Sequence, residues 1–70
     1  MKILLTDHAK QRMAERGITL LQIQEAINFP DYTISKENKI ESYKKINNKL
    51  LKIVHVKEGK FIKIITLVWK

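Results

Sequence analysis

His8, Arg12 and Glu15 are separated by four and three positions, so at about 100° per residue they share one face of a helix. The stretch DHAKQRMAERGI, residues 7 to 18, holds both arginines of the chain, whereas residues 31 to 70 use ten lysines and no arginine. A histidine exchanges protons near neutral pH, with an ordinary pKa of about 6.5. An arginine stays charged, and its planar fork matches two phosphate oxygens at once. That combination suits a phosphodiester. A metal-independent ribonuclease needs a base for the ribose 2′-hydroxyl, a cation for the charge growing on phosphorus, and an acid for the leaving oxygen. His8, Arg12 and Arg16 supply some of these parts, and Thr66, Tyr43 or His55 can contribute from the second half of the chain. A plainer reading competes. Glu15 can pair with Arg12 or with Gln11, which would make the arginine one half of a surface ion pair.

The elements that must hold these residues follow from capping and period. Thr6 is placed as an N-cap, Asp7 as a first-turn acid and Gly17 as a C-terminal stop, which predicts a helix over Asp7 to Arg16. Ala9 and Met13 are its natural contact with a sheet. Arg16 either reaches a phosphate or folds back to hold the helix corner. Thr19 and Gln22 form a capping-box pattern, flanked by Ile18 and Ile23 as a staple, and Pro30 closes a second helix whose apolar face is Leu20, Ile23, Ala26 and Ile27. From Asp31 the period changes to two. It predicts strands from Tyr32, over Ile40–Ile46, over Leu50–Lys57 and over Phe61–Trp69, with turns at KENK, Asn47-Asn48 and Glu58-Gly59. The last strand is nearly all apolar and should be central or covered on both faces. The prediction is therefore one α+β domain over residues 1–70, with two N-terminal helices on a curved antiparallel sheet of about four strands. Lys2 to Leu5 could add a short strand at one edge.

Composition narrows the function. Seventy residues make one small domain, and the absence of cysteine excludes disulfides, thiolate metal sites and a cysteine nucleophile. His8 and His55 lack a third ligand, so no metal and no other cofactor is expected. Two glycines leave no phosphate-cradling loop. The opening MKILL is too short for a signal-peptide core, and Ile64–Trp69 is too short to span a membrane, so a cytoplasmic protein without membrane association is the expectation. The formal charge is +7, carried mainly by residues 31–70 with ten lysines against four acids. Such a half attracts polyanions, and solvated lysines on exposed strand faces give the same composition. Lys44, Lys45, Lys52, Lys63 and Lys70 are the candidate nucleic-acid contacts. His55 alternates with Val54 and Val56, which places it on the solvent side or at an interface. Tyr32, Tyr43 and Trp69 read mainly as packing residues, although an indole beside lysines can stack on a base.

The pattern HAKQRMAERGI, then a helix ending in NFP, then a strand reading IITLVWK, resembles the small bacterial and archaeal DUF4258 family. The positions that carry the resemblance are His8, Ala9, Arg12, Met13, Arg16, Gly17, Ile18, Pro30 and Thr66. That family looks related to the RelE/ParE-like toxins, which pack two helices on a curved antiparallel sheet. The resemblance implies a toxin-like, metal-independent endoribonuclease acting on RNA or at the ribosome and restrained by an antitoxin protein. It favours His8 as acid or base, Arg12 as a phosphate clamp, Arg16 as clamp or corner, and Thr66 as a positioning hydroxyl. The alternative is a non-catalytic nucleic-acid-binding, ribosome-binding or protein-interaction domain. For so small a core, a homodimer or a bound antagonist would be an unsurprising supplement.

Overall fold

Thr6 leaves a strand and opens a helix. Its extended backbone (φ −70°, ψ 162°) and its hydroxyl, which accepts the Ala9 N–H at 3.1 Å, satisfy one of the donors that a helix start leaves unpaired. The computed structural model describes residues 2–70, and in it Lys2–Leu5 form strand β1 and Asp7–Arg16 form helix α1. Gly17 ends α1 in the left-handed region (φ 62°), where its N–H and that of Ile18 both donate to the Met13 carbonyl. A methyl group at Gly17 would meet nothing within 4 Å, so the position requires glycine for its dihedral angle and not for space. Gly17→Ala should therefore lower stability by about 1–2 kcal/mol without altering the fold, read as a shifted urea midpoint at unchanged slope.

Helix α2, Leu20–Asn28, begins with the complete capping box: Thr19 accepts the Gln22 N–H, and the Gln22 side chain accepts the Thr19 N–H. The Phe29 N–H makes the last helical bond, to Glu25, and Pro30 has no N–H with which to continue. Four strands follow: β2 Tyr32–Lys36, β3 Lys39–Ile46, β4 Lys49–Glu58 and β5 Phe61–Trp69. Asn47 and Asn48 both take positive φ (50° and 68°), which matches the right-handed twist of a two-residue hairpin. The next turn falls one residue later than expected, at Gly59-Lys60, because β4 runs on through Glu58.

The sheet has five strands in the order β1-β5-β4-β3-β2. It corrects the expected four-stranded antiparallel sheet: β2 to β5 are antiparallel, but β1 joins β5 in parallel and makes the sheet mixed. The nearly continuous apolar character of β5 is thus used by placing it between β1 and β4. Register separates two faces. Leu51, Ile53, Ile64 and Leu67 lie under the helices and are fully buried with Ala9, Ile23 and Ala26, while Ile18 is nearly so. Val54 opposes Thr66 and His55 opposes Ile64, so Ile65 is an extra residue in β5. This bulge reverses the alternation, which lets Ile62 and Ile64 share the covered face with Leu67 and Trp69.

Strand β1 stops opposite Ile64, and α1 takes over the edge of β5. The Thr6 hydroxyl donates to the Ile64 carbonyl at 2.8 Å, Arg16 Nη1 donates to the Leu67 carbonyl at 2.7 Å, and Trp69 Nε1 donates back to the Arg16 carbonyl at 2.8 Å. Both ends of α1 are therefore tied to the same strand. An edge that would otherwise expose unpaired carbonyls is closed by side chains.

Candidate functional site

Helix α1 divides its motif residues into two groups. Ala9 is fully buried, Met13 packs on the core, Ile18 is buried, and Gly17 provides the left-handed stop. Arg16 belongs with them, since its guanidinium holds the Leu67 carbonyl and its own carbonyl accepts from Trp69. Those bonds make Arg16 a contact of the helix corner. The second group is His8 and Arg12. His8 is exposed, and among the described residues its side chain makes no hydrogen bond or ion pair. Arg12 pairs with Glu15 one turn on, and Gln11 donates to the other oxygen of Glu15 at 3.0 Å. Hydrogen bonds from Arg12 and Gln11 hold the Glu15 carboxyl below the usual carboxylate range.

Thr66 lies on the face of β5 away from the core, opposite Val54. It sits between Ile64 and Leu67, the two positions whose carbonyls α1 holds, so the fold brings α1 alongside this stretch of strand. Among the described residues, no hydrogen bond joins Thr66 to His8 or Arg12. Thr66 thus lies on the open face of β5 while α1 packs on the covered one, and the four candidate catalytic residues form no hydrogen-bonded set among the described residues.

The face of the sheet without helices is net positive. Alternation and register place Lys36, Lys39, Lys45, Lys52 and Lys63 there with Glu41 and Glu58. Three of the candidate contacts, Lys45, Lys52 and Lys63, are in this group. Lys63 lies 3.8 Å from Glu58. Lys44 points to the opposite face and pairs with Asp31 at 3.6 Å, and Lys70 ends the chain with its N–H on the Leu50 carbonyl. On the same open face is a network that period alone did not reveal. The Tyr43 hydroxyl donates to Glu41 at 3.0 Å, Lys52 and Lys36 approach the other Glu41 oxygen at 3.6 and 4.0 Å, and the Tyr32 ring stacks on Tyr43 with centroids 4.5 Å apart. The Tyr43 hydrogen bond, ahead of the opposing effect of burial and aided by the two lysines, holds the Glu41 carboxyl below its ordinary range. Burial and that same carboxylate push the Tyr43 phenol up. Glu41 and Tyr43 were two apart in a strand, but Tyr32 and Lys52 join them only through strand register.

His55 is displaced from its expected position. It lies on the helix-covered face, is only 7% exposed, and shares a 2.8 Å hydrogen bond between Nε2 and the buried Ser42 hydroxyl. The alternation with Val54 and Val56 was right, but those valines take the open face. Burial lowers the His55 pKa from its ordinary value. A group neutral in the fold and protonated in the unfolded chain contributes stability above its unfolded pKa, and that contribution is lost as pH falls toward the folded value. Stability should therefore fall as pH is lowered below about 6.5, and His55→Asn should flatten that part of the profile in urea titrations at successive pH values.

Among the described residues, no three His, Cys, Asp or Glu side chains are grouped to hold a metal ion, and no helix is long and apolar enough to cross a membrane. The molecule is a small basic α+β domain whose mixed sheet is covered on one face and open on the other. The family model for a domain of unknown function, DUF4258, matches residues 5–69, and the chain belongs to that family. No curated protein and no solved structure matches it.

Proposed function

We propose that this protein is a toxin-like endoribonuclease that cleaves RNA without a metal ion, with His8 and Arg12 as its catalytic residues. One observation carries the reading. Packing or backbone geometry accounts for Ala9, Met13, Arg16, Gly17 and Ile18 in the helix-one motif, whereas His8 is exposed without a side-chain partner among the described residues and half-buried Arg12 is bonded only to Glu15 on its own helix. In the proposed reaction His8 takes the proton of a ribose 2′-hydroxyl. The 2′-oxygen bonds to phosphorus, the bond from phosphorus to the 5′-oxygen breaks, and water protonates the leaving oxygen. Arg12 donates to the non-bridging oxygens as their charge grows. Its partner Glu15 does not prevent this, because an ion pair between solvent-accessible side chains is weak and a phosphate can displace it. Thr66 is assigned a positioning hydroxyl, and Arg16 holds α1 against β5.

The open lysine face supports RNA as the substrate class through charge. The resemblance of the helix-one motif to a family that looks related to the RelE/ParE-like toxins supports a restraining antitoxin protein as the physiological partner. The test is cleavage of single-stranded RNA, free and in ribosomes, by freshly purified protein in EDTA. Products ending in 2′,3′-cyclic phosphate and 5′-hydroxyl are expected. Absence of cleavage in both settings would leave RNA binding without catalysis as the reading of the basic face.

A further inference from the structure

The stacked tyrosines on the open face have a geometry that packing alone does not use up. Tyr43 is buried beneath Tyr32, with the two rings 11° from parallel. Tyr32 itself is 49% exposed and sits on β2, the last strand of the sheet. One side of its ring rests on Tyr43, and much of the remainder meets solvent. Around it the face is cationic. Lys36 lies two rungs along β2, Lys45 is next to Tyr43 on the same face of β3, and Lys52 stands 6.0 Å from the Tyr43 ring centre. Two acids lie in this cluster: Asp31 is met by Lys44 and the Lys45 N–H, and Glu41 by the Tyr43 hydroxyl, which leaves Lys36, Lys45 and Lys52 in excess over the single Glu41 carboxylate.

We infer that Tyr32 is a nucleobase-stacking site for single-stranded RNA, with Lys36, Lys45 and Lys52 holding the flanking phosphates. The inference deepens the nuclease reading and rests on RNA being the ligand. Charge selects the occupant: the lysine cluster suits a polyanion, and the flat ring adds what a polyanion with aromatic bases can use. Base–aromatic stacking on an open sheet tolerates any base identity, because every base has a π-face. Rows of opposed residues run Tyr32–Tyr43–Lys52–Val68 and, beside it, Ile34–Glu41–Val54–Thr66. From β2 to β5 is three strand spacings, about 14 Å. A strand of RNA laid across these rows with one base on Tyr32 needs more than one further nucleotide to reach β5.

The test uses the full chain and a short 2′-O-methylated single-stranded RNA, which cannot be cleaved through its 2′-oxygen, compared with the same backbone lacking bases. Fluorescence anisotropy at fixed salt should give wild type at least about fivefold tighter binding to the intact oligomer than to the abasic one. Tyr32→Ala should lose that difference and bind both as wild type binds the abasic strand, while Tyr32→Phe should keep it. Thermal unfolding checks that the variants remain folded. Equal binding of both oligomers by wild type, or a preference that survives in folded Tyr32→Ala, overturns the inference and is what a face built for a protein partner would give. Cleavage of unmodified RNA is measured in parallel. A base preference at Tyr32 without cleavage leaves this site standing and removes the nuclease reading; cleavage without the preference does the reverse.

Discussion

His8→Ala should lower the rate of RNA cleavage in EDTA about 10²–10⁴-fold, the range that a positioned acid or base contributes, while leaving the unfolding midpoint unchanged. The two halves of that expectation come from the same feature. His8 is exposed and, among the described residues, makes no side-chain hydrogen bond, so its loss should not weaken the fold. A proton acceptor at the head of α1 lies on the same helical face as Arg12, four residues on. Arg12→Ala should cause a loss of comparable size, because it removes the only guanidinium not committed to the backbone of β5. Arg12→Lys should recover only part of it, since a point charge cannot reproduce bidentate contact with phosphate oxygens. The readout is the initial rate of appearance of cyclic-phosphate ends. Full activity in both folded alanine variants would remove α1 from the chemistry.

The largest effect on stability is expected at Ile53. It is fully buried at the centre of β4, opposite Ser42 on one side and Leu67 on the other, beneath the helices. Ile53→Ala removes apolar contact and leaves a cavity in a sheet strand that cannot collapse inward, which should cost about 2–5 kcal/mol. At about 0.05–0.15 kcal/mol per residue the domain has roughly 3.5–10 kcal/mol of stability, so the variant remains folded at the upper end and, at the lower end, unfolds only if the loss exceeds about 3.5 kcal/mol. Ile53→Val should cost about 0.5–1.5 kcal/mol and remain folded. Urea unfolding of the pair distinguishes them. A loss below about 1 kcal/mol for the alanine variant would mean that the core repacks far more freely than close packing allows.

The helices and the turns were legible because their causes are local. Thr6, Gly17, Thr19 with Gln22, and Pro30 act on backbone groups a few residues away, and the boundaries of α1 emerge where those residues put them. Asn47-Asn48 works in the same way, through the positive φ that asparagine tolerates. Membership of the family was also readable, since its pattern lies along the chain itself. Tertiary structure decided what depends on residues far apart in sequence. The parallel pairing of β1 with β5, the extra residue Ile65, the burial of His55 against Ser42, and the tie from Arg16 to Leu67 all require two segments to meet in one register. A two-residue period assigns alternate side chains to opposite faces but does not say which face receives the helices, and one bulge reverses the assignment along the strand. For that reason the solvent-side or interface position that alternation suggests for His55 gives way to one under the helices, and the Tyr32–Tyr43–Glu41–Lys52 cluster, assembled from three strands, has no signature in any one of them.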